Sequence, residues 1–417
     1  DLFAKIEYLR ETAGEGAFTG ATATPIANSI TEMYVMMRYH DPAGMQELGM
    51  TDFDTWAATF GTVITQPEVR IHGDGFKMKN RLARFNNVPE LLALFNRFAD
   101  VKTAEDLDLP RPQLAPRPED GQRAAHLLVV PRTDAQADFM DTIAKRAEAI
   151  EARAVHPEED NMLKLSSHAR LGSLDLRLID PNHAAGDDAG GKISAAADYL
   201  AGIYHATKDN TYLDKSTGEP SPNKGALQLV FCDLGTPGKP GSDDTTWDVY
   251  TALRSALADK GVPEGRIRFI HEANKDRDKA ALFSACRNGH VSILIGSTAK
   301  MGTGVNIQDR VTHLLHMNAP WRPADLTQRN GRGWRQGNQN PELMLTQVIT
   351  EQTFDTYSWQ TLERKAAFIG QIMRGTTERE TGDITDDAFS FAEAKAIGSG
   401  NPRLIQLAEL QADLGRL

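Results

Sequence analysis

Residues 291–338 read VSILIGSTAKMGTGVNIQDRVTHLLHMNAPWRPADLTQRNGRGWRQGN. Two short apolar runs, "VSILIG" ending at Gly296 and "VTHLLHM" ending at Met317, pass directly into polar, glycine-bearing loops. Apolar runs of this length bounded by turn residues read as buried strands. The same unit recurs upstream. A helical pattern at Ile193, Ala197, Leu200 and Ile203 precedes "LQLVFC", and one at Trp247, Tyr250, Leu253 and Leu257 precedes "RIRFIH". A third, from Asp276 to Arg287 and closed by Gly289, precedes "VSILIG", and "LMLTQVIT" completes the series of strands. Strands alternating with helices require right-handed crossovers, so the expected fold class is α/β, a doubly wound, mostly parallel sheet covered on both faces. Ligands of such sheets bind beyond the carboxyl ends of the strands, which directs attention to the loops after Gly296 and Met317.

Toward the N-terminus, Ile30, Met33, Tyr34 and Met37 recur at helical spacing after a loop ending "ATATPIANS", and Leu91, Leu94, Phe95 and Phe98 form a second stripe. The prolines of "LDLPRPQLAPRP" oppose regular structure and predict a linker, with a domain boundary near Leu114 to Pro118. Beyond it "HLLVVP" predicts a short buried strand. Stripes at Phe139/Ile143/Ile150 and Leu163/Leu171/Leu174/Leu178 predict two helices, and the Gly- and Asp-rich stretch His183 to Gly191 predicts a loop. A helix carrying Phe354, Tyr357, Leu362, Ile369 and Ile372 and a tail ending "LIQLAELQADLGRL" are helical additions.

The 417 residues, 40% hydrophobic and 25% charged, are enough for two or more cored domains. With Cys232 and Cys286 as the only cysteines, a disulfide framework or a four-cysteine zinc site is excluded, which fits a reducing compartment. No apolar run approaches the roughly 20 residues of a membrane span, so the expectation is a cytoplasmic protein, read as a piece of something longer. The net charge of -11 argues against a chain that coats nucleic acid. From Gly302 to Asn338, however, five arginines (310, 322, 329, 332 and 335) face only Asp309 and Asp325, leaving room for a polyanion bound in a cleft.

In the first loop, Ser297 and Thr298 offer hydroxyls and Gly302 and Gly304 bracket Thr303. Glycine lets backbone amides approach a phosphate closely, although a plain tight turn has the same composition. In the second loop Gln328, Arg332 and Arg335 are spaced by four and three; if helical, they share one side. They are either a solvated face or guanidinium forks aimed at phosphate.

In this order, after consecutive strands, the two segments resemble motifs V and VI of superfamily 2 helicases, and "PWRPADLTQRNGRGWRQGN" most resembles the Swi/Snf-like ATPase form. "TATPIAN", Thr22 to Asn28, resembles motif III, and "LQLVFC" takes the place of motif IV. The resemblance spans about residues 15 to 375; Gly331 and Gly333 replace the usual Asp or Ala of motif VI, and Ala23 the usual Gly of motif III. The motif III segment, the "EMYVMMRY" helix and the tail look most like helicase modules of very large phage- and plasmid-borne proteins that also carry an adenine methyltransferase domain.

The resemblance implies a RecA-like fold and these domains: 1–60, the end of a first RecA-like lobe; 61–120, a helical insertion and Pro-rich linker; 121–380, the second RecA-like lobe or helicase C-terminal domain; 381–417, a helical extension. It implies an ATP-dependent DNA helicase or translocase. Arg332 and Arg335, with Gln328, would be catalytic, and Gly302, Gly304 and Asn306 would lie beside the nucleotide. Thr22, Thr24, Ser297, Thr298 and Lys300 would contact the nucleic-acid backbone. ATP and Mg²⁺ would be held mainly by an N-terminal part bearing motifs I and II, so this chain alone is expected to be inactive. Partners would be DNA, most readily duplex, and the remainder of its own polypeptide. The rival expectation is a non-catalytic DNA-binding or scaffold module derived from a helicase.

"GDDAGGKIS", Gly186 to Ser194, has the G-x4-G-K spacing of an ATP-binding loop but Ile193 where the Mg²⁺-binding hydroxyl belongs, and reads as a surface loop before a helix. His271-Glu272 lacks the second histidine of a zinc motif, while His313 and His316 on a strand read as packed or satisfied rather than as ligands. Trp321 and Trp334 suit either stacking on a base or wedging the second loop against the sheet.

Overall fold

The structure is a computed structural model describing residues 2–27, 29–69, 76–102, 107, 109–183, 190–215, 217–238, 247–301, 306–373 and 380–382. In chain order the first elements are α1 (Leu2–Ala13), α2 (Glu32–His40), α3 (Pro42–Glu47), α4 (Phe53–Phe60), β1 (Gly61–Val69), β2 (Phe76–Asn86) and α5 (Val88–Phe95). Then come β3 (Gln113–Leu114), β4 (His126–Val130), α6 (Asp134–Glu151), α7 (Met162–Leu174), α8 (Lys192–Thr207), β5 (Leu227–Phe231), α9 (Val249–Asp259), β6 (Ile267–Phe269) and α10 (Asp276–Arg287). The series ends with β7 (Ile293–Gly296), α11 (Thr298–Met301), β8 (Val311–His316), α12 (Pro323–Asn330), β9 (Glu342–Thr350), α13 (Phe354–Met373) and β10 (Glu380–Gly382).

The described residues fall into two compact units. One takes the chain up to 107 with Arg322–Ala324 and 361–382; the other takes Leu109–Trp321 and Asp325–Gln360. The first packs α2, α4 and α5 around Met33, Met37, Trp56, Phe85 and Leu91, all fully buried. Asp52 starts α4 as its N-cap, accepting the Thr55 amide at 2.8 Å. Residues 61–86, expected within a helical insertion, instead form an antiparallel β1–β2 pair, with β10 added on the far side of β2. β-Rich residues at 62–65 and the alternation of 76–85 win over the neighbouring helical stripe.

The second unit is the expected sheet. Its order is β3-β9-β8-β5-β7-β6 with β4 also paired to β9, and every pairing is parallel. β5, β7 and β8 are buried along their whole length, as strands covered on both faces must be. One face packs Val230, Ile295 and Leu315 against α8 and α9, and the other packs Leu229, Leu294 and Leu314 with Leu282 and Cys286 of α10. The fold class is therefore α/β with a doubly wound, RecA-like parallel sheet. A capping box opens α6: Thr133 accepts the Gln136 amide at 3.1 Å and Gln136 Oε1 accepts the Thr133 amide at 3.2 Å. The buried Gln136 then donates to the Gly172 carbonyl at 3.0 Å, fixing α6 on α7.

Two local expectations change. The proline segment does not run free as a linker: Gln113 donates to Pro341 O and Ala115 to Leu343 O, both at 2.9 Å, so β3 is stitched along β9. Its prolines flank rather than occupy the donor positions, as at a sheet edge. β4 is not a buried strand, since Leu127 and Val129 are 41% and 52% exposed at that edge while Val130 is buried.

Candidate functional site

β5 lies between β7 and β8, and the chain leaves β5 for α9, packed on one face of the sheet, but leaves β7 for α11, whose Met301 packs on the other face. That reversal makes the carboxyl ends of the three central strands the natural crevice of the fold. One residue from each strand end, plus one from α12, meet there. Asp233 follows β5, Thr298 follows β7, Asn318 follows β8, and Arg329 comes from α12. The Thr298 amide donates to Asp233 Oδ1 at 2.7 Å and its hydroxyl to Oδ2 at 2.9 Å. Arg329, wholly buried, donates Nη2 to Asp233 Oδ2 at 2.6 Å, Nε to Thr298 Oγ1 at 2.8 Å and Nη1 to Asn318 O at 2.8 Å. Asn318 Oδ1 accepts the Asp233 amide at 2.9 Å, closing the ring. Burial pushes the Asp233 carboxyl up, but the Arg329 charge and the Thr298 hydrogen bonds outweigh it and hold it below the usual carboxylate range. Burial lowers the Arg329 guanidinium, and Asp233 opposes that.

Sequence reasoning counted Arg329 among the arginines and gave it no role; nor did it single out Asp233 or Asn318. The available signal was position, since Asp233 and Asn318 stand just past the ends of two predicted strands.

α12 ends at Asn330, so the helical spacing expected to run from Gln328 through Arg332 to Arg335 is broken. Residues 331–337 are turns, with Arg332 N on Arg329 O at 3.1 Å and Gly333 N on Asn330 O at 3.2 Å. Gly333 explains the departure from the family pattern. A Cβ there would stand 2.6 Å from Val311 Cγ1, 3.0 Å from Leu343 Cδ1 and 3.1 Å from Leu314 Cδ2, so the turn lies directly on the sheet. Asn338 ties it down, donating to Val311 O at 2.7 Å and Gly333 O at 2.9 Å. Trp334 wedges the same turn: its Nε1 donates to Pro112 O at 2.9 Å and Arg111 sits 4.4 Å from its ring. Trp321 is 57% exposed, with the Arg170 guanidinium 5.8 Å from its ring.

On this turn Arg332 and Arg335 are both half-buried. Burial lowers the Arg332 guanidinium and the Arg335 charge lowers it further, so the two cations are close enough to repel. Arg335 Nη1 donates to Asn306 Oδ1 at 3.2 Å, and Arg287 Nη1, which the sequence did not indicate, donates to Asn306 O at 2.9 Å. The structure thus joins Arg335 to Asn306 and sets Arg332 beside it; Gln328 is half-buried on α12. Gly302 and Gly304 lie outside the described residues.

Ser297 is 9% exposed, and its carbonyl accepts the Met301 amide at 2.9 Å to start α11. Lys300 donates to Asn274 Oδ1 at 3.2 Å beside a cleft of about 460 Å³ lined by Asn274, Lys279, Phe283 and Lys300 among others. Thr22 and Thr24 belong to the other unit, in an exposed turn where the Thr24 amide donates to Thr22 Oγ1 at 3.1 Å.

Lys192 of the "GDDAGGKIS" loop is not on a surface: it is fully buried and ion-paired with Asp355, whose Oδ2 also accepts the Thr350 amide at 3.1 Å. Gly186 and its two aspartates lie outside the described residues. His313 is satisfied by Gln228 Oε1 at 3.0 Å and Thr346 Oγ1 at 2.9 Å, and His316 bonds Asn330 Oδ1 at 2.9 Å. Burial drives both well below the ordinary histidine value, His313 to about 3. His271 packs edge-on to Tyr250 at 5.1 Å. Burial lifts the Cys232 and Cys286 thiols to about 12, which removes them as nucleophiles. Among the described residues no group of three or more His, Cys, Asp or Glu is placed to hold a metal, and no helix is long and apolar enough to cross a membrane.

Comparison with known proteins follows the same division. Residues 2–103 match a probable helicase domain, and residues 246–337 match the helicase conserved C-terminal domain. A 101-residue stretch is 35% identical to "Defense against restriction protein B" of Escherichia phage P1, covering 24% of this chain and 4% of that relative. Among solved structures, the C-terminal part of the Fun30 ATPase domain aligns with 14% identity and a TM-score of 0.40, over 60% of this chain and 97% of that one. The DUF1998 helicase MrfA bound to DNA and AMPPNP aligns with 13% identity and a TM-score of 0.27, over 42% and 19%. The two domain matches, the second of which contains Thr298, Asn318, Arg329, Arg332 and Arg335, make this a helicase-related chain.

Proposed function

We propose that this chain is the second-lobe part of an ATP-dependent DNA helicase or translocase of the Swi/Snf-like kind, and that Arg332 and Arg335 are its guanidinium contribution to phosphoryl transfer. The observation carrying this reading is the Arg332–Arg335 pair, two like charges kept together and half-buried on a turn pinned by Gly333, Trp334 and Asn338. Guanidinium forks held on one fixed turn suit a phosphoryl group whose charge grows in the transition state.

The residues present fit the cation side of an ATP site. They do not supply its lysine: Lys192, the nearest sequence approach, is committed to Asp355. When bound, Mg²⁺-ATP supplies the phosphoryl group whose transfer drives the motor. Arg332 and Arg335 would orient and neutralise the γ-phosphate as charge spreads over its oxygens. The Asp233–Thr298–Arg329–Asn318 ring would keep the loops after β5, β7 and β8 in one register with α12, so that nucleic-acid contacts near Thr298 and Lys300 move with the arginines. Thr22 and Thr24 would serve the first lobe. The partners proposed are DNA, contacted through its backbone, and the remainder of a longer cytoplasmic polypeptide that includes an adenine methyltransferase domain. The test is DNA-stimulated ATP hydrolysis by the full-length protein with Arg335→Ala. Undiminished turnover in the variant overturns the role given to Arg335, and a full-length protein with no DNA-stimulated turnover at all favours the non-catalytic module.

A further inference from the structure

We propose that Arg287, at the end of α10, is a positioning residue for Arg335 and acts on it through Asn306. Arg287 stands 19 residues before Asn306, on a helix that carries none of the motif segments, and Arg335 stands 29 residues after it. Arg287 Nη1 donates to the Asn306 main-chain oxygen at 2.9 Å, and Arg335 Nη1 donates to the Asn306 side-chain oxygen at 3.2 Å. One asparagine thus holds two guanidinium groups through two different carbonyls. A charged donor fixes a carbonyl more firmly than a neutral one does, so Arg287 steadies the main chain from which Asn306 presents Oδ1. The acceptor is neutral, which matters for the chemistry: it can orient the Arg335 fork without cancelling its charge, as a carboxylate would. Among the described residues neither Arg287 nor Arg335 is ion-paired with a carboxylate, and Arg335 uses a single donor in this contact, leaving the rest of its fork for a phosphoryl oxygen.

The packing beneath sets this contact. Cys286 and Ile307, the chain neighbours of Arg287 and Asn306, are both fully buried in the same core cluster with Leu282, Leu294 and Val311. Burying those two together brings Arg287 and Asn306 out side by side. Just beyond α10, Gly289 takes a φ of +77°, and a Cβ there would collide with the guanidinium of the buried Arg310, so the chain leaving α10 lies directly against the residues that follow Asn306. Arg310 is itself fixed, donating to Asn223 O at 2.7 Å and Ser221 Oγ at 2.6 Å, and Arg266 Nη1 donates to Gly289 O at 2.7 Å. Arg335 is therefore held at both ends, its main chain by the pinned turn and its guanidinium by Asn306. The plainer account of Arg287 is a cation in the last turn of a helix, where the terminal carbonyls favour positive charge. That account calls for no acceptor on another segment, and it leaves the shared asparagine unexplained.

The role given to Arg287 rests on the reading that Arg335 meets the phosphoryl group, and the two fail separately. DNA-stimulated ATP turnover of the full-length protein is measured for Arg287→Ala, Arg287→Lys, Arg335→Ala and the double alanine variant, alongside binding of AMPPNP and of ADP–aluminium fluoride. Arg287→Ala should lower kcat by about ten- to a hundredfold, the scale of one hydrogen bond to a charged group, with KM for ATP within about threefold. Affinity for ADP–aluminium fluoride, which mimics the transferring group, should fall by a similar factor while AMPPNP affinity stays within about threefold. Arg287→Lys should keep turnover within about threefold, since one carbonyl needs one donor, whereas the same change at Arg335 loses the fork. In the Arg335→Ala background, Arg287→Ala should cost less than about twofold more, because a residue acting through Arg335 has nothing left to position. Should Arg287→Ala fail to fold, Arg287→Met keeps the aliphatic stem, removes the donor and takes its place. Equal losses from Arg287→Ala with and without Arg335 overturn the positioning role, as do equal losses of AMPPNP and ADP–aluminium fluoride affinity. Turnover within about twofold in Arg287→Ala, with Arg335→Ala inactive, overturns it alone. Undiminished turnover in Arg335→Ala, or no DNA-stimulated turnover in the full-length protein, overturns it together with the reading beneath it.

Discussion

Arg329 Nη2 lies 2.6 Å from Asp233 Oδ2, joining α12 to the end of the central strand through a side chain with no exposure of its own. Asp233 keeps 27% of its side-chain surface, so the pair is not sealed from water on the acid's side. Removing one member of such a pair leaves the other charge in a poor environment. Arg329→Ala should therefore destabilise the protein by about 3–5 kcal/mol, at the level of a broken buried ion pair. Urea unfolding of the variant measures it, and a loss below about 1 kcal/mol would show that the ring of hydrogen bonds is not what holds α12.

Arg335 is expected to act in the transition state more than in binding. In the full-length protein, Arg335→Ala should reduce ATP turnover by about 10³-fold or more while nucleotide and DNA affinities stay within a few-fold. Arg335→Lys should be nearly as damaging, because an ammonium keeps the charge and loses the planar fork. A residue that merely steadies Asn306 would leave turnover within about twofold in both variants.

Buried neutral histidines make the second unit sensitive to acid. His313 and His316 have folded values below the ordinary 6.5, His313 at about 3, so the unfolded chain binds more protons as pH falls below 6.5. Stability must then rise with pH through this window and be lost as pH falls, with a slope of up to about 1.4 kcal/mol per pH unit for each histidine. Asp233, held below its usual value, adds loss in the same direction at lower pH. Thermal melts at pH 7.5, 6 and 5 should show a falling midpoint, and His313→Gln should flatten the dependence. An unchanged midpoint from pH 7.5 to 5 refutes the assignment.

Lys192 tests whether a phosphate-loop spacing has been put to structural use. Lys192→Met strands Asp355, which keeps only the Thr350 amide among the contacts described above, and should cost about 3–5 kcal/mol. Nucleotide affinity of the full-length protein should not change beyond about twofold. Adding Asp355→Leu should recover part of the lost stability, since an apolar pair fills the space without buried charge. Loss of nucleotide binding in a folded Lys192→Met protein would return the lysine to a phosphate role.

Much of the second unit was legible in the sequence because its signals are local. Apolar runs such as "LQLVFC" and "VSILIG" fix buried strands, their alternation with helices fixes a parallel doubly wound sheet, and the strand ends fix where a ligand would sit. The motif loops after β7 and β8 were likewise recognisable as strings of residues. What depends on partners far along the chain was not. "PRPQLAPRP" read as a linker because proline chemistry is local, while its pairing with β9 lies more than 220 residues away. "HLLVV" read as buried because apolarity does not reveal that a strand stands at an edge. Lys192 read as part of a surface loop because its segment fails the phosphate-loop pattern at Ile193, and the acid that buries it lies 163 residues on. In the second unit the sequence by itself determined the order of the main strands and helices, since short-range sterics and hydrophobic period set those, whereas the β1–β2 pair of the first unit went unread. Only the tertiary structure decided that Asp233, Thr298, Asn318 and Arg329 form one ring and that Arg332 and Arg335 share a pinned turn. Hydrogen bonds and charge repulsion act over a few ångströms of space, whatever the distance along the chain.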